Sequence, residues 1–422
     1  MFVRSVPDTS PEFAARPRLR WVLLMFVIAA LGFWRTYHGG IGGMWAEDLP
    51  IYVAAVGDFL GGRNPYTLTH APMFFFYPPF FLELTGALSR LVPGPWGARL
   101  YEVLDLMATF ALPLVLARYF FRQRWLGPLF ALLVFFDSPR FTGVLALFGL
   151  NIASTLYCLA FVAAVPGLKR NRWEWFYLAV IFAALIKITF LSLLLLPLLA
   201  ARRQWLRSAI CAAAVVLANL GERALWPQLY SGYQWSLQQG ILLNHSYGYG
   251  LFGIVATYFP SSGKGVGPAP YLVSGLVSAT LLVLMFSLRW RLDRCGIFTE
   301  WKVNALRGDS GTRRGLWLAL VIMTIILVNP RQMQYDVDIA LFAGFVVWVA
   351  VLRTDRLLLL MVALFLPSVI ARWIIAKPAM YGMYDTFLLL ATFALGFAWV
   401  WREIERESRA DQSPQVAKAS VA

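Results

Sequence analysis

Long apolar runs alternate with short polar segments along almost the whole of this 422-residue chain. Many of the runs hold about 18 to 25 residues, the length that a transmembrane helix needs. Their apolar residues are continuous rather than alternating with polar ones, which favours helices over the strands of a membrane barrel. The pattern therefore predicts an all-α polytopic membrane protein with about 12 to 14 transmembrane helices and both termini on the cytoplasmic side.

The same pattern divides the chain into a membrane domain and two polar tails. Residues 1–20 are polar and basic and form a predicted cytoplasmic tail, residues 21–401 form the transmembrane domain, and we expect residues 402–422 to be a disordered cytoplasmic tail. The loops predicted within the membrane domain are a first outer loop at 39–73, a second outer loop at 227–270 and a basic cytoplasmic loop at 291–314.

The first outer loop and the spans after it are less regular. Within this loop, Leu49 to Leu60 is apolar enough to form a helix that lies flat at the membrane interface. We expect the next span to run from Phe74 to Leu91 and a third to cover 100–120. Strict alternation of spans would then place Arg122 and Arg124 on the outer face, against the positive-inside rule.

One later apolar run carries a charge at its centre. Lys187 lies in the run 174–200, with about ten apolar residues on either side. A Lys at this depth is costly in one straight span, so the run fits two half-spans that meet at Lys187 better than a single span. Two further polar breaks, at 137–140 and 149–151, are expected to face protein or a wet cavity. The first predicted span is 21–38, and residues 125–166 fit one full span plus two short ones. The other predicted spans are 206–226, 271–290, 315–329, 337–352, 357–375 and 382–401.

Composition excludes an ordinary soluble protein. The chain is 59% hydrophobic and 14% charged, and its mean hydropathy is +0.65. The net charge of +15 would point to nucleic acid in a soluble protein, but here Lys and Arg lie in short clusters between apolar runs. The positive-inside rule and anionic lipid surfaces explain this distribution, so we expect a lipid bilayer and no nucleic acid as a partner. The cysteines, Cys158, Cys211 and Cys295, have no spacing typical of metal ligands or disulfides.

Two adjacent carboxylates follow the first apolar run closely. Asp48 and Glu47 lie on the predicted outer face, where most of the unusual polar residues of the chain gather. A carboxylate in this position can take a proton from an alcohol or hold a divalent metal. The alternative is a solvated Asp48 that caps the following helix. Glu47 is the second candidate for the catalytic role.

The outer loop also carries an aromatic and proline-rich segment. Arg63-Asn64-Pro65-Tyr66 is followed by Phe74-Phe75-Phe76-Tyr77-Pro78-Pro79. Proline in the first helical turn and aromatic residues at the interface give this segment a purely structural explanation. The functional alternative is that Tyr77 and its neighbours shape the opening through which a lipid-linked substrate arrives.

Two isolated basic residues are further candidates. Lys187 either ends a half-span or pairs with an anion, and phosphate suits the compact charge of an ammonium group. His245 stands alone in an aromatic segment of the second outer loop, where it is either a structural residue or a ligand for substrate.

A short outer segment between two spans is dense in polar side chains. Asn329 to Asp338 contains Arg331, Gln332 and Tyr335 together with two Asp. Arg331 could bind a phosphate bidentately. The alternative is a surface ion pair with Asp336 or Asp338, which would be worth little.

Three motifs follow one another in and just after the first outer loop: Asp48-x-x-x-Tyr52, Gly61-Gly62-Arg63-Asn64-Pro65-Tyr66 and Phe76-Tyr77-Pro78-Pro79. Together they resemble the first outer loop of glycosyltransferase family 87, the polyprenol-phosphate-dependent α-mannosyltransferases of the GT-C superfamily. Gly149-Leu150-Asn151 is similar in part to that family's Gly-Gln-x-Asn break, and Ile186-Lys187-Ile188-Thr189 to its Lys-Pro junction, with Ile in place of Pro. Asn329 to Asp336 stands where the family has a Ser-Pro…Trp-x-His segment, whose Trp and His have no counterpart here.

This resemblance implies a GT-C-type bundle in a bacterial plasma (inner) membrane. It implies inverting transfer of a sugar, mannose or another hexose or pentose, from a polyprenyl phosphate to an alcohol acceptor on the extracytoplasmic side. Asp48 would be the general base, and Lys187 and Arg331 would stabilise the leaving phosphate. No metal or other cofactor is implied. The full set of expected substrate-binding residues is Tyr52, Arg63, Tyr66, Tyr77, Asn151, Lys187, His245, Arg331, Gln332 and Tyr335.

Other functions stay open at this point. A polytopic transporter or lipid flippase would favour charges deep in several spans and paired half-helices in two related halves. The polar residues here gather on one face, and no internal repeat is visible. An O-antigen polymerase or ligase would use long outer loops with Arg and His, which 227–270 fits in part. The acceptor could be a glycolipid, a glycan or a protein.

Overall fold

The described part of the protein is almost entirely helical. The computed structural model describes residues 49–67, 69–70, 73–92, 95–120, 152–201, 203–243, 248, 250–258, 266–294, 313–329, 332, 334–352, 360, 363 and 378–419. Its helices are α1 Leu49–Leu60, α2 Pro79–Leu91, α3 Pro95–Phe120, α4 Ile152–Arg170, α5 Glu174–Ile186, a 3-10 helix Ile188–Leu194, α6 Leu195–Ala200, α7 Trp205–Leu225, α8 Pro227–Leu243, α9 Leu251–Tyr258, α10 Pro268–Arg294, α11 Arg313–Leu327, α12 Gln334–Leu352 and α13 Pro378–Ala419. Two short antiparallel strands, β1 Thr69–His70 and β2 Met73–Phe74, pair in the first loop.

Four helices of the described residues are long and apolar enough to cross a membrane. They are Ile152–Arg170, Trp205–Leu225, Pro268–Arg294 and Met383–Arg406. The protein is therefore an all-α membrane protein, as the hydropathy pattern predicts. Helix α11 lies at the centre of the bundle, because every residue from 315 to 327 is buried. A helix that is apolar all round needs protein or lipid on every side, and here protein supplies it.

The span predicted from Phe74 to Leu91 is wrong at its start. Met73 and Phe74 belong to β2, and the helix begins only at Pro79. The reason is local: a residue before proline avoids the helical conformation, whereas proline itself suits the first helical position. The remaining helix has 13 residues, about 20 Å at the usual rise per residue, which is shorter than a bilayer core.

Helix α3 begins beside the first loop and runs away from it. The rings of Tyr101, near its start, and Tyr52, in α1, lie 5.9 Å apart. Helix α4 runs alongside α3 in the same direction. Thr155 of α4 donates to Asp105 of α3, and further along both helices Tyr119 donates to the carbonyl of Phe161.

This direction removes the conflict over the arginines after the third span. Arg122 and Arg124 lie outside the described residues, but they follow the end of α3 directly in sequence. Because α3 and α4 run in parallel, α3 ends near the basic end of α4, which carries Lys169 and Arg170 in its last turn. This arrangement agrees with the positive-inside rule when α2 stays on one side of the membrane.

The predicted break at Lys187 is confirmed. Helix α5 ends at Ile186, Lys187 adopts an extended backbone conformation, and the Phe190 N–H donates to the Lys187 carbonyl (3.0 Å) to start the 3-10 helix. The chain then returns to where it began, because Glu174 at the start of α5 pairs with Arg207 at the start of α7 (3.3 Å). Residues 174–200 therefore form a hairpin with Lys187 at its tip.

The two ends of the bundle differ in charge. At one end, which we call the basic end, Arg289 donates to the Ala201 carbonyl (3.3 Å), and Arg291 lies over the ring of Trp401 (3.4 Å). We call the opposite end, which holds Tyr52, Tyr101 and the tip of the 174–200 hairpin, the site end. Helix α7 joins the two, starting at the basic end and reaching the start of α2 through Glu222 in its last turn.

Two loop or tail regions are more helical than the sequence predicts. The second outer loop contains α8 and α9. The last helix does not end at 401, and the tail expected to be disordered continues α13 to Ala419. Side-chain contacts one turn apart support the first turn beyond 401: Arg406 pairs with Glu403 (2.8 Å), and the Trp401 indole donates to Glu405 (2.9 Å).

Candidate functional site at the site end of the bundle

An aromatic cluster fills the first loop at the site end. The hydroxyls of Tyr52 and Tyr77 are 2.6 Å apart and share a hydrogen bond. The Tyr66 hydroxyl donates to the Tyr77 carbonyl (2.8 Å). Phe75 and Phe81 pack against Tyr77 with ring centroids 5.6 and 4.8 Å away. The fold thus brings together three of the predicted site tyrosines, Tyr52, Tyr66 and Tyr77.

Tyr66 is a neutral donor in this cluster. Its side chain is fully buried, and burial raises the pKa of Tyr66 above its ordinary value, with Tyr233 and Glu222 adding to the increase. The phenol therefore keeps its proton and its bond to the Tyr77 carbonyl. Asn64 fixes the approach to Tyr66, since its side-chain oxygen accepts from the Tyr66 N–H (3.0 Å) in an Asx turn.

Arg63 lies at the edge of the cluster. Its guanidinium pairs with Asp58 near the end of α1, and its side chain is 69% exposed. Asp58, in contrast, is buried, and the partner charge of Arg63 offsets part of the cost of burying its carboxylate. The pairing holds the Arg63 side chain against the end of α1.

A second polar group links three helices at the same end. Asp105 of α3 accepts from Thr155 of α4, and two residues further on Tyr157 donates to Asp336 of α12 (2.6 Å). Asp105 and Asp336 are both buried, where a carboxylate needs hydrogen bonds or a counter-charge. Tyr101, one turn before Asp105, connects this group to the aromatic cluster through Tyr52.

The Lys187 hairpin contacts α4, the helix that carries Tyr157. Phe190, in the 3-10 helix directly after Lys187, packs on Tyr157 with ring centroids 4.6 Å apart. Lys187 itself is half-buried. Tyr157 therefore contacts the tip of the hairpin through its ring and the start of α12 through its hydroxyl.

The segment between α11 and α12 is tightly packed around Gln332. This residue is 2% exposed, and its amide donates to the Leu327 carbonyl at the end of α11 (3.2 Å). Gly250 faces it so closely that a Cβ there would lie 2.8 Å from the Gln332 Cδ. Tyr335 lies in the first turn of α12. Asp336 accepts the hydrogen bond from Tyr157.

Five of the predicted site residues lie outside the described part of the chain: Asp48, Glu47, Asn151, His245 and Arg331. Asp48 directly precedes α1 in sequence, four positions before Tyr52, and Asn151 directly precedes α4. Arg331 is the neighbour of Gln332 in sequence.

The structure adds four residues that the sequence interpretation left without a role. They are Tyr101, Asp105, Tyr157 and Glu222. Glu222 is buried at the end of α7, and its Oε2 accepts from the Phe80 N–H (3.4 Å). A carboxylate inside an apolar run is costly, and this signal was present in the sequence for Asp105 and Glu222.

No model of a known protein family and no curated protein matches this chain. The class that the fold defines is that of an all-α membrane protein with four candidate spans among the described residues.

Proposed function

We propose that the protein is an integral membrane glycosyltransferase of GT-C type. It would transfer a sugar, mannose or another hexose or pentose, from a polyprenyl-phosphate donor to an alcohol of a glycolipid, glycan or protein. The single observation that carries the proposal is the meeting of three segments at the site end: the first loop, the Lys187 hairpin and the start of α12. The family 87 resemblance rests largely on these same segments.

The charge asymmetry of the bundle supports an extracytoplasmic site. Lys and Arg gather at the basic end, which the positive-inside rule assigns to the cytoplasm of a bacterial plasma membrane. The tyrosines, buried carboxylates and Lys187 tip then face outside, where polyprenyl-linked sugars serve as donors because nucleotide sugars are absent. Glu405 of α13 pairs with Arg291 at the basic end (3.9 Å), in keeping with a cytoplasmic C-terminus.

The proposed chemistry is an inverting displacement at the anomeric carbon. The acceptor hydroxyl oxygen attacks this carbon and forms the new glycosidic bond. The bond from the anomeric carbon to the phosphate oxygen breaks, and the phosphate leaves with the electron pair. Asp48 takes the hydroxyl proton. Lys187 and Arg331 balance the charge that develops on the phosphate, so the leaving group needs no acid.

The test is a transfer assay on purified protein in lipid vesicles with a panel of polyprenyl-phosphate sugars. The proposal expects a glycosylated acceptor and free polyprenyl phosphate in equal amounts. Release of polyprenyl phosphate with no glycosidic product, or no consumption of any donor in the panel, would contradict it.

One observation favours a second candidate, a transporter or flippase of polyprenyl phosphates. The helix pair interrupted at Lys187 resembles the discontinuous helices that hold substrates in transporters. This function predicts movement of the labelled lipid across the vesicle membrane with the sugar–phosphate bond intact. The same vesicles and donors distinguish the two, because transfer changes the chemistry of the lipid whereas transport changes only its side.

A further inference from the structure

A side chain from a distant helix holds the start of α2. Pro78 and Pro79 have no N–H to donate, and the Phe81 N–H bonds to the Pro78 carbonyl (2.9 Å). This leaves the Phe80 N–H, and Glu222 Oε2 accepts from it at 3.4 Å. A carboxylate is favoured at a helix start, where N–H groups lack backbone partners and the helix dipole is positive.

Glu222 lies where the burial of a carboxylate costs free energy. The residue is 4% exposed and lies in the last turn of the apolar helix α7. Its Oε1 has no hydrogen-bond partner among the residues that the structure describes. A buried carboxylate with one weakly bonded oxygen lowers stability relative to an apolar residue of similar size. Stability of the bundle therefore does not explain why a carboxylate stands there.

What Glu222 holds is the backbone that carries Tyr77. The Tyr66 hydroxyl fixes the Tyr77 carbonyl (2.8 Å), Glu222 fixes the Phe80 N–H three residues later, and Ser236 donates to the Phe75 carbonyl. With its backbone held on both sides, the Tyr77 hydroxyl meets that of Tyr52 at 2.6 Å.

We propose that Glu222 is a positioning residue that braces the 75–80 turn and so sets the place of the Tyr77 hydroxyl at the substrate site. This inference rests on the proposed glycosyltransferase function for its consequence in catalysis. The brace itself is a property of the folded chain and is measurable without any substrate.

Hydrogen exchange at the Phe80 amide tests the brace directly. In the full-length protein in detergent, Glu222→Ala removes the acceptor, and we expect peptides covering 75–82 to exchange at least about tenfold faster at Phe80. Glu222→Gln retains an acceptor oxygen and is expected to stay within about twofold of the wild-type rate. The matched control is Glu403→Ala, which removes another buried glutamate, at the basic end. Unchanged exchange in Glu222→Ala, or an equal rise in the control, would overturn the brace.

Kinetics then test its role in the transferase. We expect Glu222→Ala to raise KM for the lipid-linked donor about tenfold, the equivalent of one hydrogen bond to a charged group, with kcat within about twofold. In Glu222→Gln we expect KM to return most of the way to the wild-type value. If Glu222 acts through Tyr77, the double variant with Tyr77→Phe is no worse than the poorer single variant. Fully additive losses would overturn the positioning role. A changed Phe80 exchange rate in a protein that transfers no sugar would retain the brace and contradict the proposed function.

Discussion

Tyr157 donates a hydrogen bond of 2.6 Å to Asp336, 179 positions away in the chain. Both side chains are buried, so the bond fixes the start of α12 against α4 next to the Lys187 hairpin. A hydrogen bond to a buried carboxylate contributes more than one between neutral groups, because one of its partners carries a charge.

The Tyr157–Asp336 bond is expected to stabilise the fold measurably. Tyr157→Phe should lower the free energy of unfolding by about 1–3 kcal/mol, since it leaves the Asp336 oxygen without this donor. Tyr119→Phe is the matched control, because Tyr119 is also buried but donates to the neutral carbonyl of Phe161. We expect a loss of about 0.5–1.5 kcal/mol there. Denaturation midpoints in detergent check the order, and a larger loss in Tyr119→Phe would contradict the importance of the Tyr157 contact.

Removal of the charge at the hairpin tip should weaken phosphate binding. We expect Lys187→Met to raise Kd for a polyprenyl phosphate at least about tenfold, because the pairing depends on charge. Lys187→Arg keeps the charge and should recover part of the lost affinity. Lys169→Met removes an exposed lysine at the basic end and should leave Kd unchanged. Binding measured by ligand-dependent shifts in Tm decides the point. Equal affinity in Lys187→Met and the wild type would exclude a phosphate at Lys187.

Helix α2 is expected not to cross the membrane. In a cysteine-free background, Thr67→Cys and Leu91→Cys should react with an impermeant maleimide from the same side of sealed vesicles. Leu91 is 77% exposed, so its reaction reports sidedness rather than burial. Lys169→Cys should react only from the opposite side. Labelling of positions 67 and 91 from opposite sides would restore the span from Phe74 to Leu91.

Two helix glycines offer a matched test of packing. A Cβ at Gly167 would lie 2.4 Å from the Trp173 ring, whereas a Cβ at Gly221 would meet nothing within 4 Å. Trp173 is fully buried and has little room to move, so Gly167→Ala should cost about 1–3 kcal/mol. Gly221→Ala should be neutral or stabilise by about 0.5–1 kcal/mol, because alanine favours the helix. Unfolding in detergent compares them, and equal stabilities would contradict this packing of Trp173.

Local signals in the sequence predicted the elements that depend on one residue type. A lone lysine in an apolar run marked the break at Lys187, and an apolar segment bounded by polar residues marked α1 at Leu49–Leu60. The length of the apolar run 74–91 hid the effect of Pro78 and Pro79, which delay the start of α2. A carboxylate in the apolar run 206–226 was likewise visible at Glu222, but hydropathy did not show which group it would bond.

The contacts that assemble the site could not be predicted from local sequence signals. Tyr157 and Asp336 meet only because α4 and α12 pack together, and Tyr101 meets Tyr52 only because α3 starts at the site end. Hydropathy predicts neither the packing of α4 on α12 nor the start of α3 at the site end, because it gives the length of a helix but not the side on which it begins. The positive-inside rule at Arg122 and Arg124 was the one sequence feature that pointed to the observed direction of α3.

The most direct test of the proposed function is the transfer rate of Asp48→Asn beside that of Glu47→Gln. With a polyprenyl-phosphate sugar and purified protein in vesicles, we expect Asp48→Asn to lose transfer by at least about a hundredfold, the usual contribution of a general base, while donor binding stays intact. Glu47→Gln should keep most of its turnover. Full turnover in Asp48→Asn together with its loss in Glu47→Gln would contradict the assignment of the base.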